Sequence, residues 1–292
     1  MPEQREDPKA LRWLIGSELL NARNKAGATQ AQASKAAGCS HVTVSNMESG
    51  STAQEPARIT KLMKFYKCDQ SDIDRLARLA GSYAGKGAWW ADFKDVVEDW
   101  FATFVGLEGL ANAEFVWEPM VIPGMLQIPA YHEALLDNHL RFSPAEVPNV
   151  VSLRRARQER LRSSENPLDF TTFIEPRTLD RLVGGPQVMR QQLEALREWN
   201  KLPNVHLYVP SEEIAVHDGL DGEFTLLDFA VAQSIGYIEF QDGARYIQDQ
   251  DRVRTYDLAR KRMCKAVAQD HDEARRLAEE AIASRLDRLA AA

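Results

Sequence analysis

Ala28-Thr-Gln-Ala-Gln-Ala-Ser-Lys-Ala-Ala-Gly-Cys-Ser-His-Val-Thr-Val-Ser-Asn-Met-Glu-Ser-Gly50 is the stretch whose reading decides the fold. Thr29 is a natural cap for a helix over Gln30–Ala37, because its hydroxyl can accept from a backbone N–H that the first helical turn leaves without a partner, and Gly38 stops that helix. Ser40 caps a second short helix that ends near Glu48, with Ser49-Gly50 as its exit. Val44 and Met47 lie three apart and therefore turn inward together with Ala33 and Ala37. The outer face then presents Ser40, His41, Val42, Thr43, Ser45 and Asn46. These are short donors, acceptors and methyl groups of a size to meet base edges in a major groove about 12 Å wide.

The flanks extend the pattern. Leu11, Leu14, Ile15, Leu19 and Leu20 recur at helical spacing ahead of Gly27, which stops a first helix. Pro56 opens a fourth helix through Ile59, Leu62, Met63 and Phe65, and Asp69 or Ser71 caps a fifth carrying Ile73, Leu76, Leu79 and Ala80. Five helices with such short connections predict one all-α unit. Gly81-Ser-Tyr-Ala-Gly-Lys-Gly87 has the small, flexible composition of a hinge. The predicted domains are therefore residues 1–84 and 85–292.

Beyond the hinge the pattern changes. An aromatic helix is expected over Trp89, Trp90, Phe93, Val97, Trp100, Phe101 and Phe104, then a strand around Phe115–Trp117, a loop at Pro119 and Pro123-Gly124, and a helix over Tyr131–Leu140. Strands are expected at Leu168–Ile174, Val205–Val209, Phe224–Phe229 and Tyr237–Phe240, with helices at Pro148–Arg162, Thr178–Val183, Pro186–Lys201, Asp251–Gln269 and Asp272–Leu289. The last strands follow one another too closely for helical crossovers. An α+β domain with a mainly antiparallel sheet covered by helices follows.

Charge sharpens the division. The whole chain carries 36 Lys and Arg against 43 Asp and Glu, a formal net charge of −7, which at first argues against a nucleic-acid partner. Residues 9–68 hold nine bases and three acids, so this segment carries +6 and the remainder −13. Cys39, Cys68 and Cys264 are far apart and odd in number, which favours a reduced compartment. The first residues lack the apolar core of a secretory signal, and no run approaches the roughly 18 apolar residues of a membrane helix. A cytoplasmic location is expected, with no membrane association.

Catalytic patterns are weak. His132-Glu133 has Leu136 where a zincin needs His, no Gly-x-Ser-x-Gly elbow occurs, and Gly184-Gly185-Pro186 lacks a following P-loop lysine. His217-Asp218 with Asp221 reads as a polar loop, and the scattered histidines and cysteines offer no metal spacing. No catalytic residue, metal site or cofactor is expected. Arg154, Arg155, Arg157, Arg160 and Arg162 read as a solvated face paired with Glu159 and Glu165.

Arg23, Gly27, Thr29-Gln30, Gly38, Ser40, Val44, Glu48 and Gly50 together resemble the pattern of the Xre, lambda-repressor-like helix-turn-helix family. The resemblance implies that Gln30 bonds a phosphate, that His41, Val42, Ser45 and Asn46 read bases, and that Glu48 pairs with Arg23. It departs at Ala33-Ser34, where Leu-Ala is commoner. A homodimer on double-stranded DNA is implied, since one such domain covers few base pairs. Farther along, Trp89-Trp90, Glu118-Pro-Met-Val-Ile-Pro-Gly-Met-Leu-Gln127 with Tyr131, Arg157-Gln-Glu-Arg-Leu161, Leu179-Asp-Arg181, Gly184-Gly-Pro-Gln-Val-Met-Arg-Gln-Gln-Leu193 and Phe224-Thr-Leu-Leu-Asp228 resemble the C-terminal domain of WhiJ-like regulators. That resemblance implies a transcriptional regulator, often antitoxin-like, whose acidic domain binds a small partner protein or ligand. Trp117, Pro123, Gly124, Met125, Gln127 and Tyr131 are the candidate contacts; Pro123-Gly124 also reads as a simple turn with Met125 in the core beside it. An interaction protein that chiefly masks its partner, and an enzyme on the α+β half, are the other classes.

Overall fold

A computed structural model describes residues 5, 7–82, 87–137, 142–211 and 213–291. The hinge expected at 81–87 falls partly outside these, as do the predicted domain boundary at 84/85 and the end of the helix expected over 131–140.

The first five helices are α1 (Pro8–Lys25), α2 (Gln30–Ala37), α3 (His41–Glu48), α4 (Pro56–Phe65) and α5 (Gln70–Gly81). Their ends are set by the local chemistry expected. Asp7 Oδ1 accepts from the backbone of Lys9 and Ala10, Thr29 and Gln32 form a reciprocal capping box, and Ser40 Oγ accepts from Thr43 N at 3.1 Å. Gly38 has φ of 67°, the left-handed conformation that lets the chain turn sharply from α2 into α3. Ile15, Leu19, Ala33, Ala37, Val44, Met47, Ile59, Leu62, Ile73 and Leu76 form the core of this unit. At the departure from the family pattern, Ala33 is fully buried in this core, and Ser34 is buried with its hydroxyl returned to the carbonyl of Ala31.

One position fixes how closely α3 lies on α1. A Cβ at Gly16 would stand 2.5 Å from the carbonyl oxygen of Glu48, which is backbone and cannot move aside. The variant Gly16→Ala is expected to lose about 2 kcal/mol of stability. Denaturant unfolding checks this; an unchanged midpoint would show that α3 can shift without cost.

The second unit is built on a sheet of β1 (Ala113–Trp117), β2 (Asp169–Phe173), β3 (Val205–Tyr208), β4 (Phe224–Asp228), β5 (Ile235–Phe240) and β6 (Gly243–Ile247), in the order β3-β2-β1-β4-β5-β6. Three of the five pairings are antiparallel, but β1 with β2 and β2 with β3 are parallel. The sheet is thus mixed. Long crossovers carrying helices join the first three strands and make them parallel, whereas the short links after β4 and β5 return the chain antiparallel. Strand β6 was not anticipated, because Gly-Ala-Arg-Tyr-Ile is short and only weakly apolar.

The helices of this unit are α6 (Asp99–Leu110), α7 (Pro129–Leu136), α8 (Val147–Arg162), α9 (Pro186–Asn200), α10 (Gln250–Val267) and α11 (His271–Ala291). The aromatic helix expected from Trp89 is interrupted. Trp89 and Trp90 lie in a turn, Phe93 ends a short 3-10 helix, and α6 starts only at Asp99. The indoles explain the break: Trp90 Nε1 donates to Asp7 Oδ2 at 2.8 Å and Trp89 Nε1 to the carbonyl of Val105 at 3.2 Å, which ties the segment across both units. The helix expected at 178–183 is a 3-10 turn, Pro176–Asp180.

Strand register sorts the sheet residues into two faces. Glu114, Val116, Phe170, Thr225, Leu227 and Tyr237 share the face covered by α6, α8 and α9; Phe115, Trp117, Phe173, Phe224 and Leu226 share the face covered by α10. Helix α1 joins the two units. Its Ala10 and Leu14 pack in one core with Phe104 and Leu107 of α6, Trp13 meets Tyr246 at 5.1 Å, and Asn21 donates to the carbonyl of Gln248 at 2.7 Å. Glu18 accepts from Arg75 Nη2 at 2.6 Å and from Gln233 N at 2.9 Å, a further tie between them.

Candidate functional site

Helix α3 is anchored by its inner face and open on its outer one. Val44 and Met47 are buried, His41 is exposed, Val42 is 63% exposed, and Thr43, Ser45 and Asn46 are half-buried on the same side. Behind them Arg23 Nε and Nη2 reach both oxygens of Glu48, at 2.6 and 3.1 Å, while Arg23 Nη1 holds the carbonyl of Ala28 at 3.0 Å. The hydrogen bond that Arg23 donates to Glu48 pushes the Arg23 pKa up, and the pair clamps α3 to α1. Gln30 joins the clamp, its Nε2 donating to Glu48 Oε2 at 2.8 Å, so this side chain is oriented by the same acid. Ser40 is already engaged in its cap and with the hydroxyl of Thr43 at 2.9 Å, which leaves His41, Val42, Ser45 and Asn46 as the better-presented surface.

The second feature is a cavity of about 470 Å³ between the sheet, α6 and α8. Five of the six contacts expected in this half, Trp117, Pro123, Gly124, Met125 and Gln127, border it. Tyr131 does not; it is fully buried behind the loop, its hydroxyl accepting from Ile122 N at 3.2 Å. Gln127 is the organising residue of that loop. Its Nε2 donates to the carbonyl of Ile122 at 2.6 Å and its Oε1 accepts from Arg154 Nη1 at 2.6 Å.

The arginines of α8 do not form a solvated face. Arg157 and Arg160 are buried: Arg157 makes two bonds to Glu108, at 2.7 and 2.6 Å, and Arg160 donates to the carbonyls of Glu108, Gly109 and Ala111. Arg154 points into the cavity, Arg155 and Arg162 stay outside, and Glu159 lies 3.7 Å from Arg5. The reason is spacing. Arg154, Arg157 and Arg160 recur every three residues and lie on one helical side, which turns toward α6 and its buried acid.

Sequence reading missed the polar lining of this cavity. Glu114 is 2% exposed and its Oε2 has no hydrogen-bond partner; burial and the neighbouring Glu108 push its carboxyl well above the usual range. Burial and Glu118 likewise push Glu223 to about 7. Burial, aided by Arg157, lowers Arg154, whose Nε also has no partner. Strand alternation marks the covered face only once the sheet is paired, and then it reaches Glu114 but neither Arg154 nor Glu223. Glu114, Thr225 and Tyr237 fall on the covered face, where an apolar residue is expected at each.

His217 has a structural place. It caps the 3-10 turn Asp218–Asp221 through Nδ1, and Trp117 Nε1 bonds the carbonyl of Gly219 at 2.8 Å. Among the described residues no three His, Cys, Asp or Glu side chains are placed to hold a metal, and no helix is long and apolar enough to cross a membrane.

Residues 14–76 match the family model of a helix-turn-helix domain, of the kind DNA-binding regulators carry. No curated protein and no solved structure gives a significant match. Residues 101–280 match the family model described as a domain of unknown function (DUF5753), and since that match spans more than half of the sequence, the chain belongs to this family, with a helix-turn-helix domain ahead of the shared one.

Proposed function

We propose that the chain is a sequence-specific transcriptional regulator of the Xre type, a cytoplasmic homodimer. In this reading a DNA-binding head within residues 1–84 is governed by an effector domain in 85–292 that binds a small molecule or small partner protein and catalyses nothing. The observation that carries the reading is α3, a capped helix held from behind by Val44, Met47 and the Arg23–Glu48 pair, with His41, Val42, Ser45 and Asn46 on its open side. The local charge of +6 over residues 9–68 supplies attraction to phosphate, and the acidic remainder limits indiscriminate binding. The cavity beside Gln127 supports the effector role, being of a size that small ligands fill.

Fluorescence anisotropy at low salt, with the DNA upstream of the protein's own gene, tests the reading. Asn46→Ala is expected to cost about 1–3 kcal/mol on the specific site and almost nothing on unrelated duplex, with His41→Ala behaving alike. Equal losses on both DNAs would demote these residues from readers to scaffolding. Absence of any binding at low salt would overturn the proposal.

A further inference from the structure

We propose that the cavity between the sheet, α6 and α8 binds an organic cation with an aromatic or apolar body, its ammonium group on the carboxyl of Glu114. This rests on the reading of the C-terminal half as an effector domain. Glu114 lies on β1, lines the cavity and is 2% exposed, and its Oε2 has no hydrogen-bond partner. A buried oxygen left in this way costs free energy until a donor meets it. The guanidinium groups that act on it are engaged elsewhere: Arg157 makes two bonds to Glu108, and Arg160 donates to the carbonyls of Glu108, Gly109 and Ala111. Arg154, also on the cavity wall, is held against the loop. Its Nη1 donates to Gln127 Oε1 at 2.6 Å and lies 2.5 Å from where a Cβ at Gly124 would stand. A ligand can bring the donor that Glu114 lacks.

The rest of the lining selects a cation. Strand register puts Glu114, Val116, Thr225 and Tyr237 on one face of the sheet, with Val116 opposite Thr225 and Thr225 opposite Tyr237. Strands about 4.8 Å apart, with a rise of about 3.4 Å per residue, set Glu114 and Tyr237 about 12 Å apart at Cα. Val116 and Thr225, both of them on the cavity, floor the space between. Phe104 of α6 also lines it, its ring centroid 4.3 Å from that of Tyr237, and the two rings form an aromatic wall that stabilises an organic cation. Among the described residues on the cavity, Glu98, Glu118, Glu223 and Glu239 add acids to Glu114, against Arg154 and the Glu108-paired Arg157, so the lining disfavours an anion. Arg154 Nε, buried and without a partner, makes a carboxylate the competing ligand head. Among the described residues no three acids are placed to hold a metal ion, whereas an ammonium group needs one carboxyl rather than a cage of oxygens.

Isothermal titration of the full chain with 4-phenylbutylamine, 4-phenylbutanol and 4-phenylbutyrate, one body with a cationic, a neutral or an anionic head, reads the choice directly. The amine is expected to bind about tenfold or more tightly than the alcohol and the acid. Glu114→Gln is expected to bind the amine and the alcohol alike. Burial and the neighbouring Glu108 hold Glu114 protonated in the free protein, so the arriving ammonium sends that proton to the buffer. Titrations in buffers of different ionisation enthalpy should show its release, and Glu114→Gln should abolish it. The three ligands on the unsubstituted protein decide the matter even where the variant fails to fold. Tightest binding by 4-phenylbutyrate would move the anchor to Arg154 and overturn the proposal, as would equal binding of amine and alcohol or no heat from the amine at millimolar concentration. Each of these outcomes leaves the DNA-binding result untouched. Amine binding without any change in operator affinity would instead sustain the ligand class and remove the sensing role.

Discussion

Glu108→Ala should lower the stability of the protein by about 3–5 kcal/mol, the range measured when one partner of a buried ion pair is removed. The side chains of Glu108 and Arg157 are 4% and 8% exposed, so the guanidinium left behind cannot be rehydrated without opening α8 from α6. Arg160 cannot take over, because it is directed at backbone carbonyls and adds positive charge beside the orphan. The double variant Glu108→Leu with Arg157→Met should recover most of the loss, since two apolar side chains replace the pair without leaving a charge unpaired. Urea unfolding of both variants measures this. A loss under about 1 kcal/mol for Glu108→Ala would mean that the pair is solvated and that it does not hold α6 to α8.

That pair also marks where the sequence stopped being legible. The helix-turn-helix was readable because every determinant is local: Thr29 and Ser40 cap within three residues, Gly38 supplies its own left-handed turn, and Val44 and Met47 sort inward by helical spacing. Even the Arg23–Glu48 contact, 25 residues apart, fell on a pattern the family resemblance carried. In the larger unit the strands β1 to β5 were found by composition, but pairing depends on residues far apart in sequence. Nothing local in Asp169–Phe173 says that it lies parallel to β1 and β3. The arginines of α8 were misread for a related reason. An arginine is ordinarily exposed, and only the placement of Glu108 opposite Arg157 reverses that expectation. Of the cavity, Trp117 and the loop residues Pro123, Gly124, Met125 and Gln127 were legible from their motif. Glu114, Arg154 and Glu223 were not, because each is unremarkable until the sheet and α8 close over it.

Phe104→Ala should both destabilise the fold, by about 3–5 kcal/mol, and uncouple the effector cavity from α3. Phe104 is 4% exposed, borders the cavity, lies 4.3 Å from the ring of Tyr237 and packs in the same core as Ala10 and Leu14 of α1. Gly106, two residues on, leaves no room for a side chain between α6 and the start of α1 at Asp7 and Ala10, so the two helices are in close contact there. Helix α1 in turn carries Gly16 and Arg23, the two points that hold α3. A ligand seated against Phe104 therefore acts on the wall that also positions the DNA-reading helix. If that contiguous packing is the route, operator affinity in the unsubstituted protein should change by about 1–3 kcal/mol when a small molecule occupies the cavity. In Phe104→Ala the change should fall close to zero at a temperature where the variant is still folded, and Phe104→Leu should restore part of both stability and coupling. Anisotropy titrations of the operator with and without a small molecule that binds the cavity, run beside thermal unfolding, separate the two effects. Coupling that persists in Phe104→Ala would direct attention to the second tie between the units, where Glu18 joins Arg75 and Gln233. Charge substitution at Glu18 would then be the variant expected to break it.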